Sequence, residues 1–128
     1  MKDLTLLLLL KDREDFSKRW LSYFERSKMN ISVFVADGSK KKTSLFDDNK
    51  FFEYKYFGPD KNFNTYRSKV IGALEKINTK YVLFASNDDF YIKNGLVKAL
   101  KKLKSDKNYS AARGLIKTFS VNSPNGLY

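Results

Sequence analysis

Residues 4–39 read LTLLLLLKDREDFSKRWLSYFERSKMNISVFVADGS, and this stretch decides the fold. It opens on an apolar run, Leu4 to Leu10, that is far shorter than the about 20 residues needed to span a bilayer. Asp3 precedes the run, and Lys11-Asp12-Arg13-Glu14-Asp15 follows it where a signal peptide would carry small residues. The expectation is a chain that neither spans a membrane nor is secreted, hence a cytoplasmic one. An unbroken apolar run of this length suits a parallel strand covered on both faces. Phe16, Trp20, Tyr23 and Phe24 then recur at helical spacing. Asp12 is expected to cap that helix, with Glu14 and Asp15 near its positive end and a stop between Ser27 and Asn30. Ile31 to Ala36 is a second apolar run, closed by Asp37-Gly38-Ser39. Strand, helix and strand in this order make a βαβ unit, whose crossover is right-handed.

The pattern continues outward. Lys40-Lys41-Lys42 to Lys50 is polar loop, with a helical turn at Leu45-Phe46 and the lysines on a solvated surface. Phe51 to Phe57 partly alternates apolar and charged residues, as a strand does, and Gly58-Pro59-Asp60 breaks it. Val70, Ile71, Leu74 and Ile77 mark a second helix beginning near Asn64 or Thr65. Tyr81 to Ala85 is another buried strand, ending in Ser86-Asn87-Asp88-Asp89-Phe90. A third helix, capped by Asn94, turns Leu96, Val97, Leu100 and Leu103 inward and Lys98, Lys101, Lys102 and Lys104 outward. The tail from Tyr109 to Tyr128 has weak periodicity, with a strand expected near Leu115 to Val121. The fold expected is therefore α/β: one domain over residues 1–128, a Rossmann-like layered, mostly parallel sheet flanked by helices. Such sheets bind ligands outside the carboxyl ends of their strands, here the loops after Leu10, Ala36 and Ala85.

Composition narrows the chemistry. The chain has 128 residues, 42% hydrophobic and 30% charged, enough to bury one core and too few for two domains. It contains no Cys and no His. Disulfides, thiolate zinc sites, cysteine nucleophiles and the commonest general base are thereby excluded. Lys and Arg number 25 against 14 Asp and Glu, a net charge of +11. That balance favours a polyanionic partner, although lysines scattered over solvated faces give the same total. Neither a P-loop nor a Gly-x-Gly-x-x-Gly sequence occurs. What remains are Asp37-Gly38-Ser39 and Asn87-Asp88-Asp89, each following an apolar strand. Asp and Asn are also common in plain turns and caps. Carboxylates at a strand end can nevertheless hold Mg²⁺ or Mn²⁺ through oxygen, with phosphates completing the shell.

In order and spacing these segments resemble the family 2 glycosyltransferases, whose nucleotide-sugar-binding architecture is called GT-A. Leu4 to Leu10 with Lys11-Asp12-Arg13 resembles that family's opening strand and polar turn. Val35-Ala36-Asp37-Gly38-Ser39 resembles its Asp-Asp-Gly-Ser, with Ala36 in place of the first Asp. Arg67 with Gly72 and Ala73 resembles the helix that follows. Ser86-Asn87-Asp88-Asp89 resembles Asp-x-Asp-Asp, with Ser86 in place of the first Asp. The resemblance covers roughly residues 4 to 105.

It implies a glycosyltransferase that binds a nucleotide-diphospho-sugar through Lys11, Arg13, Asp37, Ser39, Arg67, Asn87 and Asp88. Asp37 would meet the base or ribose, and Arg67 and Lys11 the phosphates. Mn²⁺ or Mg²⁺ would be held at Asp88 and Asp89. In that family the acceptor site and the catalytic Asp lie well beyond the metal motif, and only 39 residues follow Asp89 here. The expectation is a truncated, donor-binding half with an unidentified acceptor. The charge admits peripheral contact with an acidic membrane surface as well. Two rivals stand beside this reading. One is a basic, non-catalytic nucleic-acid-binding module, which lacks basic residues interleaved with exposed aromatics. The other is a flavodoxin- or receiver-like domain with an acidic Mg²⁺ cluster.

Overall fold

The structure, a computed structural model, describes residues 1–118. A strand buried on both faces must lie inside a sheet, and the leucine run does. β1 (Leu4–Leu10) pairs in parallel with β2 (Ser32–Asp37) on one side and with β4 (Tyr81–Ser86) on the other. β3 (Phe52–Tyr56) pairs in parallel with β2, so the four strands run in the order β3-β2-β1-β4. The α/β class and the parallel sheet are as the sequence predicts.

The two-residue period of the strands sorts their side chains. Register places Leu6 and Leu8 beside Val33 and Val35, and these beside Phe52 and Tyr54, on one face. Helix α1 (Glu14–Ser27) covers that face with Trp20 and Phe24. Trp20 stacks on Phe24 at 5.3 Å, Phe24 meets the edge of Phe52 at 5.1 Å, and Phe46 from the loop packs on Phe52 at 5.4 Å between ring centroids. On the opposite face Leu7, Phe34 and Ala36 pack against Ala73 of α2 (Phe63–Leu74), ringed by Leu9, Phe57, Ile77 and Val82.

Helix boundaries depart from expectation for local reasons. Asp12 and Arg13 both adopt positive φ, 56° and 61°, which folds the chain back from β1 into α1. Arg13 thus stands at the N-cap without a side-chain cap, and the Asp12 carboxylate instead accepts from the Lys40 amide at 2.9 Å. α2 starts at Phe63 because Asn62 and Thr65 form a reciprocal capping box. Its inward face also differs from the expected Val70, Ile71, Leu74 and Ile77. Lys69 and Ala73 are its buried residues, and Ile71 and Leu74 are exposed. Small residues permit this close approach, a Cβ at Gly72 reaching within 3.0 Å of the Phe57 ring.

The chain divides into two compact units, residues 1–91 and the segment from Ile92 onward. In the second, α3 (Lys93–Ser105) has Ile92, not Asn94, at its N-cap. Leu100 is buried, Lys98, Lys101, Lys102 and Lys104 are exposed, and Val97 is exposed rather than inward. Residues 115–118 form no strand, and the rest of the strand expected up to Val121 lies outside the described residues. Among the described residues no helix is long and apolar enough to cross a membrane.

Candidate functional site

From β1 the chain steps outward to β2 and β3, then returns to place β4 on the other flank of β1. The strand order therefore reverses between β1 and β4, the place at which open parallel sheets take ligands at the carboxyl ends of their strands. Register sets Leu10 beside Asp37 and Leu9 beside Ser86, so the turns after β1, β2 and β4 emerge side by side.

The first two turns are sewn together. The Gly38 amide donates to the Leu10 carbonyl at 2.9 Å, the Asp12 amide to Ser39 Oγ at 2.7 Å and the Ser39 amide to Asp37 Oδ1 at 2.8 Å. Tyr54 donates its hydroxyl to Asp37 Oδ2 at 2.6 Å, and Tyr56 donates to the Ser39 carbonyl at 3.1 Å. Burial, followed by the bond to Asp37, pushes the Tyr54 hydroxyl well above its ordinary pKa. Asp37 has no exposed surface and both its oxygens are engaged. The carboxylate expected to face a base or ribose is thus the internal anchor of its own turn. Ser39 is buried beside it.

The first and third turns meet where the strand order reverses. Arg13 Nη1 pairs with Asp88 Oδ2 at 3.0 Å, both side chains being nearly half exposed. Ser86, standing where the resembling family has an Asp, donates its hydroxyl to Asp88 Oδ1. That bond first, and Arg13 second, holds the Asp88 carboxyl below the usual carboxylate range. Asn87 is buried and donates to Ser17 Oγ at 3.0 Å, tying the turn to α1. Asp89 serves a different neighbour. The Tyr91 hydroxyl donates to the Phe84 carbonyl at 3.2 Å, and its pKa is pushed up to about 12 by burial and then by the charge of Asp89, ahead of that of Asp88.

Lys11 and Arg67 are exposed and make no hydrogen bond or ion pair within the described residues. Arg13, Ser39, Asn87 and Asp88 are gathered around the turns, while Arg67 projects from α2. No family model matches the chain, and no curated protein does.

A divalent cation fits this donor set in one way only. Among the described residues no three acidic side chains converge, so a protein-only cage is absent there. Mg²⁺ keeps several waters and takes one or two carboxylates together with a ligand's phosphates. Asp88, exposed and ionised, suits that role.

Two residues beneath the site were not legible as site residues. Lys69 Nζ, 2% exposed, donates to the Leu10 carbonyl at 2.9 Å and to Asp60 Oδ2 at 2.5 Å. The Asp60 amide donates to the Gly38 carbonyl at 2.7 Å. A Cβ at Gly38 would collide with the Asp60 carboxylate, so only glycine fits that turn. The available signal was a lysine four residues before Ala73, on the small-residue stripe of α2.

Proposed function

We propose that this chain carries the nucleotide-diphospho-sugar-binding part of a metal-dependent glycosyltransferase. The observation that supports it best is the Arg13–Asp88 pair spanning the point where the strand order reverses, the place at which open parallel sheets take phosphate-bearing ligands. Both partners are accessible and neither is locked in the core. An exposed pair of this kind contributes little to stability, so a diphosphate can replace it at small cost.

In this reading a diphosphate accepts hydrogen bonds from the Arg13 guanidinium, whose planar donors match phosphate oxygens. Asp88, released from Arg13, becomes the protein ligand for Mg²⁺ or Mn²⁺. When bound, that cation neutralises charge on the leaving diphosphate. Lys11, free on the rim of the same turn, adds positive potential. Asp37, Ser39 and Asn87 hold the three turns in register from below. A cytoplasmic protein with an acceptor of its own belongs to the same reading.

Thermal-shift and calorimetric titration with uridine diphosphate and other nucleoside diphosphates, with and without Mn²⁺, test it. A rise in melting temperature that needs the cation is expected, since a ligand bound only to the native state stabilises it. No response to any nucleoside diphosphate, with salt-sensitive binding of single-stranded nucleic acid, would replace this reading with the nucleic-acid one.

A further inference from the structure

The outward side of α1 and Phe90 enclose an open groove of about 590 Å³, lined by Lys18, Arg19, Ser22, Tyr23, Arg26 and Phe90. Its lining holds three cations and no carboxylate, and two aromatic rings form its apolar part. Tyr23 and Phe90 meet edge to face at 4.8 Å between centroids. The Tyr23 hydroxyl donates to the Tyr91 carbonyl at 2.8 Å, which fixes that ring. Arg26 lies along the helix, its Nε donating to the Ser22 carbonyl at 3.1 Å, and it makes no carboxylate pair among the described residues. Lys18 is already paired with Glu14 at 2.9 Å, so Arg19 and Arg26 are the cations left for a ligand.

The groove lies near the Arg13–Asp88 pair. The Arg19 guanidinium lies 4.3 Å from the centroid of the Phe16 ring, and the Arg13 guanidinium lies 4.0 Å from the same centroid. The two guanidinium carbons are therefore no more than about 8.3 Å apart. Arg13 in turn contacts Asp88, and Phe90 follows Asp88 by two positions. A ligand in the groove would lie beside a donor held at Arg13 and Asp88.

We infer that this groove is a second binding site and that it takes a small ligand bearing a phosphate next to an apolar or ring-shaped portion. The ligand chemistry follows from the groove itself and stands apart from the donor reading. Arg19 and Arg26 present planar donors to the phosphate oxygens, and Tyr23 and Phe90 cover the carbon skeleton. Ser22 offers a hydroxyl between them.

Calorimetry with phenyl phosphate as probe, and with inorganic phosphate and phenol as controls, tests this on the full chain. Phenyl phosphate is expected to bind more tightly than either control. The double variant R19Q/R26Q should weaken it at least about tenfold, as loss of two charge-assisted contacts implies. It should leave cation-dependent binding of uridine diphosphate unchanged. F90A should weaken phenyl phosphate toward the level of inorganic phosphate. Binding unaffected by R19Q/R26Q, or equal binding of phosphate and phenyl phosphate, would overturn the inference. So would binding of phosphatidylglycerol vesicles, lost in R19Q/R26Q, without binding of phenyl phosphate; the groove would then be a lipid-surface contact. Phenyl phosphate bound as expected by a chain that ignores every nucleoside diphosphate would uphold the site and discard the donor reading.

Discussion

Asp88 is the residue on which the donor reading turns, and its surroundings make it separable from the fold. Its carboxyl is held low chiefly by the Ser86 hydroxyl and secondarily by Arg13. S86A should therefore raise the Asp88 pKa more than R13Q does, read from the carboxyl carbon shift in an NMR titration. A native pKa below the unfolded one means that this carboxylate adds stability above the ordinary carboxylate range. The contribution fades as pH falls through the lowered value. D88N should abolish the cation-dependent response to uridine diphosphate while changing stability by under about 1 kcal/mol, because the side chain is exposed and its pair is a surface one. If D88N unfolds the chain and the surviving folded fraction still responds, Asp88 is structural and the metal role is lost. Lys69 and Asp60 should behave in the opposite way. Both are almost completely buried, so K69M strands an uncompensated carboxylate and should cost about 3–5 kcal/mol in denaturant unfolding. The double replacement K69M/D60L should recover much of that loss, and a double as unstable as the single would argue against a charge penalty. This pair was hidden in the sequence because a lysine on a helix ordinarily lies in solvent. Only the close approach of α2, allowed by Gly72 and Ala73, brings its ammonium under Leu10.

At the scale of elements, legibility followed burial. β1 and β2 are continuous apolar runs because both their faces are covered, and that pattern admits few other readings. The aromatic stripe of α1 was readable for the same reason, since Trp20 and Phe24 fill the space over Phe52. Helix starts were harder. A turn of two positive-φ residues at Asp12 and Arg13 leaves no trace in hydrophobic periodicity, and it moved Asp12 from a cap to a partner of Lys40. Within α2 the contact is made by small residues and one buried lysine, so Ile71 and Leu74 mark the wrong side, while Ile77, just past the helix end, packs on the core. Its start is nonetheless sharply defined. N62A removes the side-chain half of the capping box, the bond from the Thr65 amide to Asn62 Oδ1, and should cost about 1 kcal/mol in urea unfolding. Because α2 carries Lys69 beneath the Asp37–Ser39 turn, the same variant should also weaken nucleotide binding slightly. A stability loss with wholly unchanged binding would show that the start of α2 and the turn are uncoupled.

For the molecule as a whole, charge and catalytic capacity point the same way. A net charge of +11 raises the local concentration of any diphosphate, so nucleotide affinity should fall as salt is added. Attraction is not turnover, however. Sugar transfer needs a base to take the proton from the acceptor hydroxyl, and this chain has no histidine to supply one. Asp37 is buried with both oxygens engaged, Asp12 accepts from the Lys40 amide, and Asp88 is paired with Arg13. Beyond Asp89 the sequence contains one further carboxylate, Asp106, which lies 3.8 Å from Lys102 at the end of α3. General-base help contributes about 10²- to 10⁴-fold, and its loss leaves a slow reaction. The 128-residue chain should therefore bind a nucleotide-diphospho-sugar with Mn²⁺ yet transfer the sugar scarcely faster than a no-enzyme control. A coupled assay for released nucleoside diphosphate, run with and without a panel of candidate acceptors, measures this. Brisk, acceptor-dependent release would overturn the donor-half reading and send the search for the base back to Asp12, Asp88 and Asp89.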